Sequence, residues 1–217
     1  MKFSLAAAAL LILVGLVLNS FPAQNQSLFF AINSLLPISS LWIAITTVGD
    51  GAVAGCLFYI LFRRQTDLLV KGLIGGVLGL IASQGLKKLF AVPRPEHTLD
   101  FGGQFYLLTE SMTATNYSMP SGHTVTAFLL GTLLLYFLKL NTVGRIVLVL
   151  VMIAIALSRV ALGVHWPADV LVGAGLGIFI AVICISLPIS VANKWARLAT
   201  HILYVPFVAV LVYTYFL

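Results

Sequence analysis

Three short polar stretches of this chain carry side chains that could together bind, attack and protonate a phosphate ester. They are residues 87–95 (KKLFAVPRP), 120–123 (PSGH) and 158–169 (SRVALGVHWPAD). Arginine and lysine neutralise phosphate oxygens. Histidine can act as a nucleophile or transfer a proton near neutral pH. The combination predicts phosphoryl-transfer chemistry.

The first stretch offers two cations of different geometry. Arg94 lies between Pro93 and Pro95, which stiffen the backbone around it. Its planar guanidinium matches two phosphate oxygens, whereas Lys87 provides a compact point charge. Both side chains could instead be long basic groups that reach the membrane interface, which is how we interpret Lys88. This stretch alone leaves the two interpretations open.

The second stretch precedes a long apolar run and is predicted to begin a helix. The free N–H groups of a helix start form an anion site, and Ser121 could cap the helix or bind a phosphate oxygen. Gly122 would let the backbone approach the ligand, and His123 could donate a proton to a leaving group. An ordinary helix cap beside an interfacial histidine is the alternative.

The third stretch places a histidine four residues before a carboxylate. Asp169 could therefore approach His165 across one helical turn, fix the imidazole tautomer and leave the other ring nitrogen free to attack. Pro167 suits the first turn of the following helix, and Arg159 adds a cation. A histidine that only caps this helix is the alternative. It does not explain why all three stretches are expected at one membrane level.

The rest of the chain is too apolar for a soluble domain. Of its 217 residues, 61% are hydrophobic and 8% are charged, and the mean hydropathy is +1.11. Soluble domains carry about 25% charged residues. The net charge of +6 is spread beside the apolar runs and does not form a basic face, so nucleic-acid binding is not expected. We predict an all-α polytopic bundle in the lipid bilayer, with one domain over 1–217.

Six apolar runs approach the length of about 20 residues that a helix needs to cross the hydrocarbon core. They lie near 3–20, 43–62, 68–89, 122–139, 144–163 and 168–191. A further run, 201–217, is shorter and contains Pro206. It is expected to be either a seventh span or a helix that lies against the bundle.

The placement of lysine and arginine predicts the orientation. If the N-terminus is cytoplasmic, most basic residues beside the spans fall on the cytoplasmic side. Only four fall on the opposite face: Lys87, Lys88, Arg94 and Arg159. We therefore predict a multi-pass protein of the cytoplasmic (inner) membrane whose reactive residues face the periplasm or the outside.

The connection 91–121 is long and polar, as binding loops and lids often are. No catalytic role is assigned to its titratable residues Glu96, His97, Asp100 and Glu110. Asp50, near the outer end of the second predicted span, is expected either to begin a helix or to contact the charged stretches. The two cysteines, in apolar runs, predict neither a disulfide nor a metal site.

In order and spacing, the three stretches resemble the three-part signature of the type-2 phosphatidic acid phosphatase superfamily. The first has the form Lys-x6-Arg-Pro, the second is Pro-Ser-Gly-His, and the third has the form Ser-Arg-x5-His-x3-Asp. The resemblance covers 87–169 at the level of motifs, and the span layout extends it over most of the chain. It is specific for the superfamily but not for the substrate.

This resemblance implies a role for each matched residue. His165 would be the nucleophile and form a phosphohistidine, Asp169 would orient it, and His123 would be the general acid. The groups that bind the phosphate oxygens would be Lys87, Arg94, Ser121, Gly122 and Arg159. Water would then hydrolyse the phosphohistidine, with neither a metal nor a cofactor.

The resemblance further implies a membrane lipid phosphatase that removes the terminal phosphate from a lipid phosphate or diphosphate. Among the substrates, undecaprenyl pyrophosphate is the first choice, because a small chain with an outward-facing site fits recycling of that lipid carrier. Phosphatidylglycerophosphate, phosphatidic acid and lipid A are alternative substrates, and a phosphotransferase would pass the phosphoryl group to another lipid. A transporter or phospholipid-binding protein is the non-catalytic alternative, although binding alone needs no pair of histidines with a carboxylate. The expected partners are the phosphorylated lipid and the bilayer, and the oligomeric state stays open.

Overall fold

A computed structural model describes residues 1–34, 39–98 and 117–216 of the chain. All regular secondary structure within these ranges is helical, which confirms the predicted all-α fold. The helices are α1 (Lys2–Asn19), α2 (Pro22–Ser34), α3 (Ser39–Val48), α4 (Gly51–Phe62), α5 (Thr66–Phe90), α6 (Pro95–Thr98), α7 (Gly122–Phe137), α8 (Thr142–Ala161), α9 (Pro167–Ser186), α10 (Lys194–Ile202) and α11 (Val205–Phe216).

Five segments of the described chain are long and apolar enough to cross a membrane. They are α1, Thr66–Thr98 (α5 and α6), α8, α9 and Lys194–Tyr215 (α10 and most of α11). The bent pair α3 and α4 would be a sixth. The run predicted at 122–139 forms α7, an apolar helix of 16 residues that is shorter than a full span. The protein is therefore a multi-pass membrane bundle, and its last apolar run belongs to a candidate span.

The predicted span 43–62 is not one continuous helix, because Asp50 interrupts it. One oxygen of this carboxylate, Oδ1, accepts hydrogen bonds from the backbone amides of Ala52 (2.9 Å) and Val53 (3.2 Å). Such an N-cap satisfies amides that lack a partner inside the helix, so α4 begins here. The chain bends by 56° between the two halves. Of the two roles predicted for Asp50, the helix start is confirmed.

Helix α9 lies in the centre of the bundle and approaches its neighbours through glycines. A Cβ atom at Gly173 would lie 2.9 Å from the carbonyl oxygen of Ser121, just before α7. A Cβ atom at Gly175 would lie 2.6 Å from the carbonyl oxygen of Ala8 in α1. The backbones can pack this closely because these positions carry no side chain. The helix that begins at the third polar stretch is thus held on two sides.

The other end of α9 is capped by Lys71, a buried residue of α5. Its Nζ donates hydrogen bonds to the carbonyl oxygens of Cys184 (2.8 Å), Ile185 (3.2 Å) and Leu187. The last carbonyls of a helix have no partner within it, and a cation is favoured at this end of the helix dipole. Lys71 therefore holds α9 in place at the end opposite the third polar stretch.

Candidate active site

The three polar stretches meet at one end of the bundle. Lys87 lies in the last turn of α5 and Arg159 in the last turn of α8, while Asp169 lies in the first turn of α9. Ser121 is the N-cap of α7. Hydrogen bonds join the stretches directly: Arg94 Nη1 donates to the carbonyl oxygen of Val164 (2.8 Å), and the Ser121 amide donates to the carbonyl oxygen of Asp169 (3.1 Å).

His165 and Asp169 form the pair that the sequence predicts. Nδ1 of the imidazole lies 3.3 Å from Oδ2 of the carboxylate. The same carboxylate oxygen accepts a hydrogen bond from the Trp166 amide (2.8 Å) and another from the Ser118 hydroxyl. Ser118 Oγ also lies 3.2 Å from His165 Nδ1. All three side chains in this network are buried.

These contacts define which nitrogen of His165 can attack. The Ser118 hydroxyl gives its only proton to Asp169, and an ionised carboxylate only accepts hydrogen bonds. When Asp169 is ionised, Nδ1 therefore carries the proton that it shares with Ser118 and Asp169. In the neutral imidazole, the lone pair then lies on Nε2, which faces away from Asp169. The geometry suits Nε2 to act as a nucleophile.

Burial lowers the pKa of His165 well below its ordinary value of 6.5. The charges of Arg94, Arg159, Lys87 and His123 act in the same direction. Since a lowered pKa favours the neutral ring, the lone pair on Nε2 remains available through the neutral and mildly acidic range. These four contributions also mean that residues from all three stretches surround this imidazole.

A pH titration by NMR would test the protonation state of His165. In ¹⁵N-histidine-labelled protein without substrate, its ring resonances should stay constant from about pH 7.5 to about pH 5.5 because the pKa is lowered. A histidine-containing peptide in the same buffer should titrate near 6.5. The spectrum of His165→Ala assigns the signal. A midpoint at or above 6.5 for His165 would contradict the prediction.

Two cations at the site have no carboxylate partner. Lys87 donates through Nζ to the carbonyl oxygen of Tyr117 (2.9 Å), and Arg159 donates through Nη1 to Thr46 Oγ1 (2.6 Å). Neither lies within 4 Å of a carboxylate oxygen in the described ranges, and Arg159 Nε has no hydrogen-bond partner there. A buried cation without a counter-ion is costly. Both positions therefore favour an anionic ligand.

The start of α7 supplies neutral donors beside these cations. Thr124 Oγ1 donates to Ser121 Oγ (3.0 Å), so the Ser121 hydroxyl keeps its own proton to give to a ligand. The amides of the first turn, which include those of Gly122 and His123, have no partner inside the helix. Hydroxyl and amides together form the kind of anion site that helix starts provide. The His123 side chain lies in this first turn and is half-buried.

The sequence interpretation missed two hydroxyl groups that hold site residues. Ser118 precedes the Pro-Ser-Gly-His stretch by two residues, and Thr46 lies inside an apolar run. Neither has a spacing that points to His165 or Arg159, because both contacts join segments distant in the chain. The only available signal was a small polar residue in an apolar or proline-flanked setting. Such residues are also common as simple helix or turn formers.

Removing the Ser118 hydroxyl is expected to slow the enzyme without weakening substrate binding. In Ser118→Ala, Asp169 loses a donor and His165 Nδ1 loses a neighbour, so the imidazole is less well oriented. Hydrogen bonds to charged groups contribute about 1.5–3 kcal/mol, which corresponds to about 10- to 100-fold in kcat with KM nearly constant. Ser186→Ala is the matched control, because its hydroxyl only bonds to Val182 O in its own helix. A changed KM with normal kcat would contradict this role.

Part of the long polar connection lies outside the described residues, including Asp100 and Glu110. Glu96 is described and buried, with its Oε1 3.7 Å from Nε2 of His97. Neither oxygen of Glu96 accepts a hydrogen bond from any described residue. The sequence assigned Glu96 no catalytic role, and the contacts of the described residues give no reason to change that.

A multi-pass helical bundle with buried cations around a His–Asp pair has the groups that an integral-membrane enzyme needs to bind and attack a phosphate ester. The family model of the PAP2 superfamily matches residues 67–190, more than half of the chain. The chain belongs to this superfamily, whose members are metal-independent lipid phosphate hydrolases, and it is a membrane lipid phosphatase.

Individual relatives match most of the chain at modest identity. An undecaprenyl-diphosphatase from Sulfolobus acidocaldarius is 25% identical over 181 residues, which cover 80% of this chain and 79% of the relative. A lipid A 1-phosphatase from Rhizobium etli is 29% identical over 153 residues, covering 61% and 64%, respectively. The crystal structure of a phosphatidylglycerolphosphate phosphatase from Bacillus subtilis superposes with a TM-score of 0.68 at 22% identity, covering 85% of this chain and 95% of that one. The last comparison shows a shared fold.

Proposed function

We propose that this protein removes the terminal phosphate of a polyprenyl diphosphate, with undecaprenyl pyrophosphate as the preferred substrate. The observation that carries the chemistry is the buried His165–Asp169–Ser118 network beside Lys87 and Arg159. The choice of substrate is supported by the undecaprenyl-diphosphatase of Sulfolobus acidocaldarius, which matches about four fifths of both chains.

The first chemical step would transfer the phosphoryl group to His165. Nε2 attacks the terminal phosphorus, a P–N bond forms, and the bond from phosphorus to the bridging oxygen breaks. His123 donates a proton to the leaving oxygen where the leaving group requires one. Negative charge on the equatorial oxygens is stabilised by Lys87, Arg94 and Arg159.

The second step would release the phosphate. A water molecule attacks the phosphohistidine, and the unprotonated form of His123 accepts a proton from that water. The P–N bond breaks, inorganic phosphate leaves, and His165 regains its neutral state. Asp169 stabilises the imidazolium-like charge that develops on the ring in both steps, since its carboxylate is hydrogen-bonded at Nδ1.

The orientation proposed for the protein puts this site on the outer face of the cytoplasmic membrane. The end of the bundle opposite the site carries most basic residues beside the spans, among them Arg63, Arg64, Lys194 and Arg197. Basic segments stay on the cytoplasmic side during insertion. A substrate whose diphosphate lies at the outer leaflet would meet the site directly.

A second candidate function is removal of a phosphate from lipid A, which the Rhizobium etli relative supports at a lower share of both chains. Phosphatidylglycerophosphate and phosphatidic acid are further candidates within the same chemistry. A phosphotransferase would use the same phosphohistidine but would need an acceptor lipid in place of water.

Phosphate release by the purified protein in detergent with EDTA tests the proposal. Undecaprenyl pyrophosphate, lipid A, phosphatidylglycerophosphate and phosphatidic acid would be offered in parallel, with His165→Ala as the control. We expect release that EDTA does not inhibit, fastest with undecaprenyl pyrophosphate. Faster release from another lipid would replace the substrate, and release that depends on an added acceptor lipid would replace hydrolysis by transfer.

A further inference from the structure

A narrow groove lies in the membrane-spanning part of the bundle, between α4, α5, α7 and α11. It begins at Gly122, in the Pro-Ser-Gly-His stretch, and has a volume of about 180 Å³. On α5 its lining extends from Gln84 to Gly72, a length of about 18 Å at about 1.5 Å per helical residue. At the deep end, Gly72 lies against the rings of Phe58 and Tyr204.

The lining of the groove changes character with depth. Polar side chains lie near the catalytic end, where Ser83 and Gln84 precede Lys87 by about one helical turn. Farther down, the walls are mainly apolar and include Leu80 and Leu129, and the Tyr204 hydroxyl at the deep end donates to the carbonyl oxygen of Leu69. This gradient matches a lipid whose phosphate is bound at the site and whose hydrocarbon chain points into the membrane.

Glycines on α4 and α5 keep the groove open. A Cβ atom at Gly76 would have no neighbour within 4 Å, and the same is true of Gly51. By contrast, a Cβ atom at Gly55 would collide with the ring of Phe207, at 2.4 Å. Close packing against Phe207 therefore explains the glycine at position 55. It does not explain the glycine at position 76, which lowers helix stability relative to alanine and allows no neighbouring helix to come closer. Because Gly76 also lines the groove, its missing side chain leaves space there.

We propose that the groove holds one hydrocarbon chain of the lipid substrate while its phosphate is bound beside His165. An apolar cavity of about 150 Å³ accepts a benzene-sized molecule, so 180 Å³ accommodates a segment of one chain but not two chains side by side. The identity of the occupant rests on the proposed function. The groove would select among lipids by their number of hydrocarbon chains. A polyprenyl diphosphate has a single chain, whereas a diacyl lipid would leave its second chain outside.

The groove contributes by positioning, because the alternative environment of the chain is equally apolar. Lipid tails and detergent offer the chain as much hydrocarbon contact as Leu80 or Leu129 does. A chain fixed in the groove, however, places the phosphorus in line with His165 Nε2. Misplacement by about 1 Å can cost about 100-fold in rate, so the effect should appear as discrimination between long and short chains.

A substitution that fills the groove tests this inference. Gly76→Leu would be compared with Gly85→Leu on farnesyl diphosphate, which has a long chain, and dimethylallyl diphosphate, which has a short one. Gly85 is on the same helix, also has open space around its Cβ position, and does not line the groove. We expect Gly76→Leu to lower the long-to-short ratio of kcat/KM by about 10- to 100-fold. Gly85→Leu should keep the wild-type ratio. An unchanged ratio in Gly76→Leu would overturn the inference.

A binding experiment separates this inference from the proposed function. If wild-type protein released no phosphate from undecaprenyl pyrophosphate or from either shorter diphosphate, the proposed function would fail. The groove would then be tested with His165→Ala and a polyprenyl phosphate carrying a diazirine in its third isoprene unit. We expect photolabelling of α5 between Leu73 and Leu80, reduced by unlabelled polyprenyl phosphate. Labelling at other positions would overturn the inference. A loss of labelling when excess phosphatidylglycerol is the only competitor would overturn it as well.

Discussion

Replacing His165 with alanine is expected to reduce phosphate release by at least about 10⁴-fold, because the variant has no atom that can form the covalent intermediate. The protein should still fold, since among the described residues the imidazole hydrogen-bonds only through Nδ1, with Ser118 and Asp169. Phosphate release from the lipid that the wild type prefers, measured under saturating conditions, gives the loss directly.

The trapped intermediate makes this prediction specific for the nucleophile. Wild-type protein quenched in alkali during turnover of a ³²P-labelled substrate should retain label as phosphohistidine, which is stable in base and labile in acid. His165→Ala should retain none. His201→Ala is the matched control, because His201 lies in α10, at the end of the bundle opposite the site. Label on another histidine in the His165→Ala protein would assign the nucleophile elsewhere.

Replacing His123 with alanine is expected to have an effect that depends on the leaving group. A general acid contributes about 10²- to 10⁴-fold when the leaving oxygen needs a proton. His123→Ala should therefore lose about that factor with phosphatidylglycerophosphate, whose leaving group is an alkoxide. With 4-nitrophenyl phosphate, whose leaving group is a stable phenolate, the loss in the first step should be below about tenfold.

The position of His123 supports this role without requiring it to bind phosphate. It lies in the first turn of α7, near enough to His165 that a positive charge on His123 lowers the pKa of His165. Single-turnover measurement of phosphoenzyme formation isolates the first step from hydrolysis of the intermediate. An equal loss for both leaving groups would show that His123 binds or orients the phosphate and is not the acid.

The helical membrane fold and the superfamily could be predicted because their signals are local. Apolar runs of span length and the intact spacing of the third stretch are readable along the chain, and both predictions are confirmed. The bend at Asp50 was only half predictable. An aspartate between two glycines favours a helix start, but whether the chain turns there depends on neighbouring helices that the sequence does not display.

The supporting contacts of the site could not be predicted, because they join segments far apart in sequence. Ser118 reaches Asp169 across 51 positions, and Thr46 meets Arg159 across 113. No periodicity records such a pairing, whereas the four-residue step from His165 to Asp169 follows from helix geometry. The roles of the individual site residues stay predictions until the variants are measured, although the structure brings those residues together.

The attachment of α9 at both ends has a consequence for the lipid. Asp169 and its hydrogen bonds hold the first turn of this helix, and Lys71 holds its last carbonyls. His165 is therefore held at a fixed position relative to the other helices of the bundle. Only a phosphorus atom that is brought to this position comes within reach of Nε2. Because bilayer thickness differs among membranes by a few ångströms, we expect the surrounding membrane to influence which phosphates reach that position.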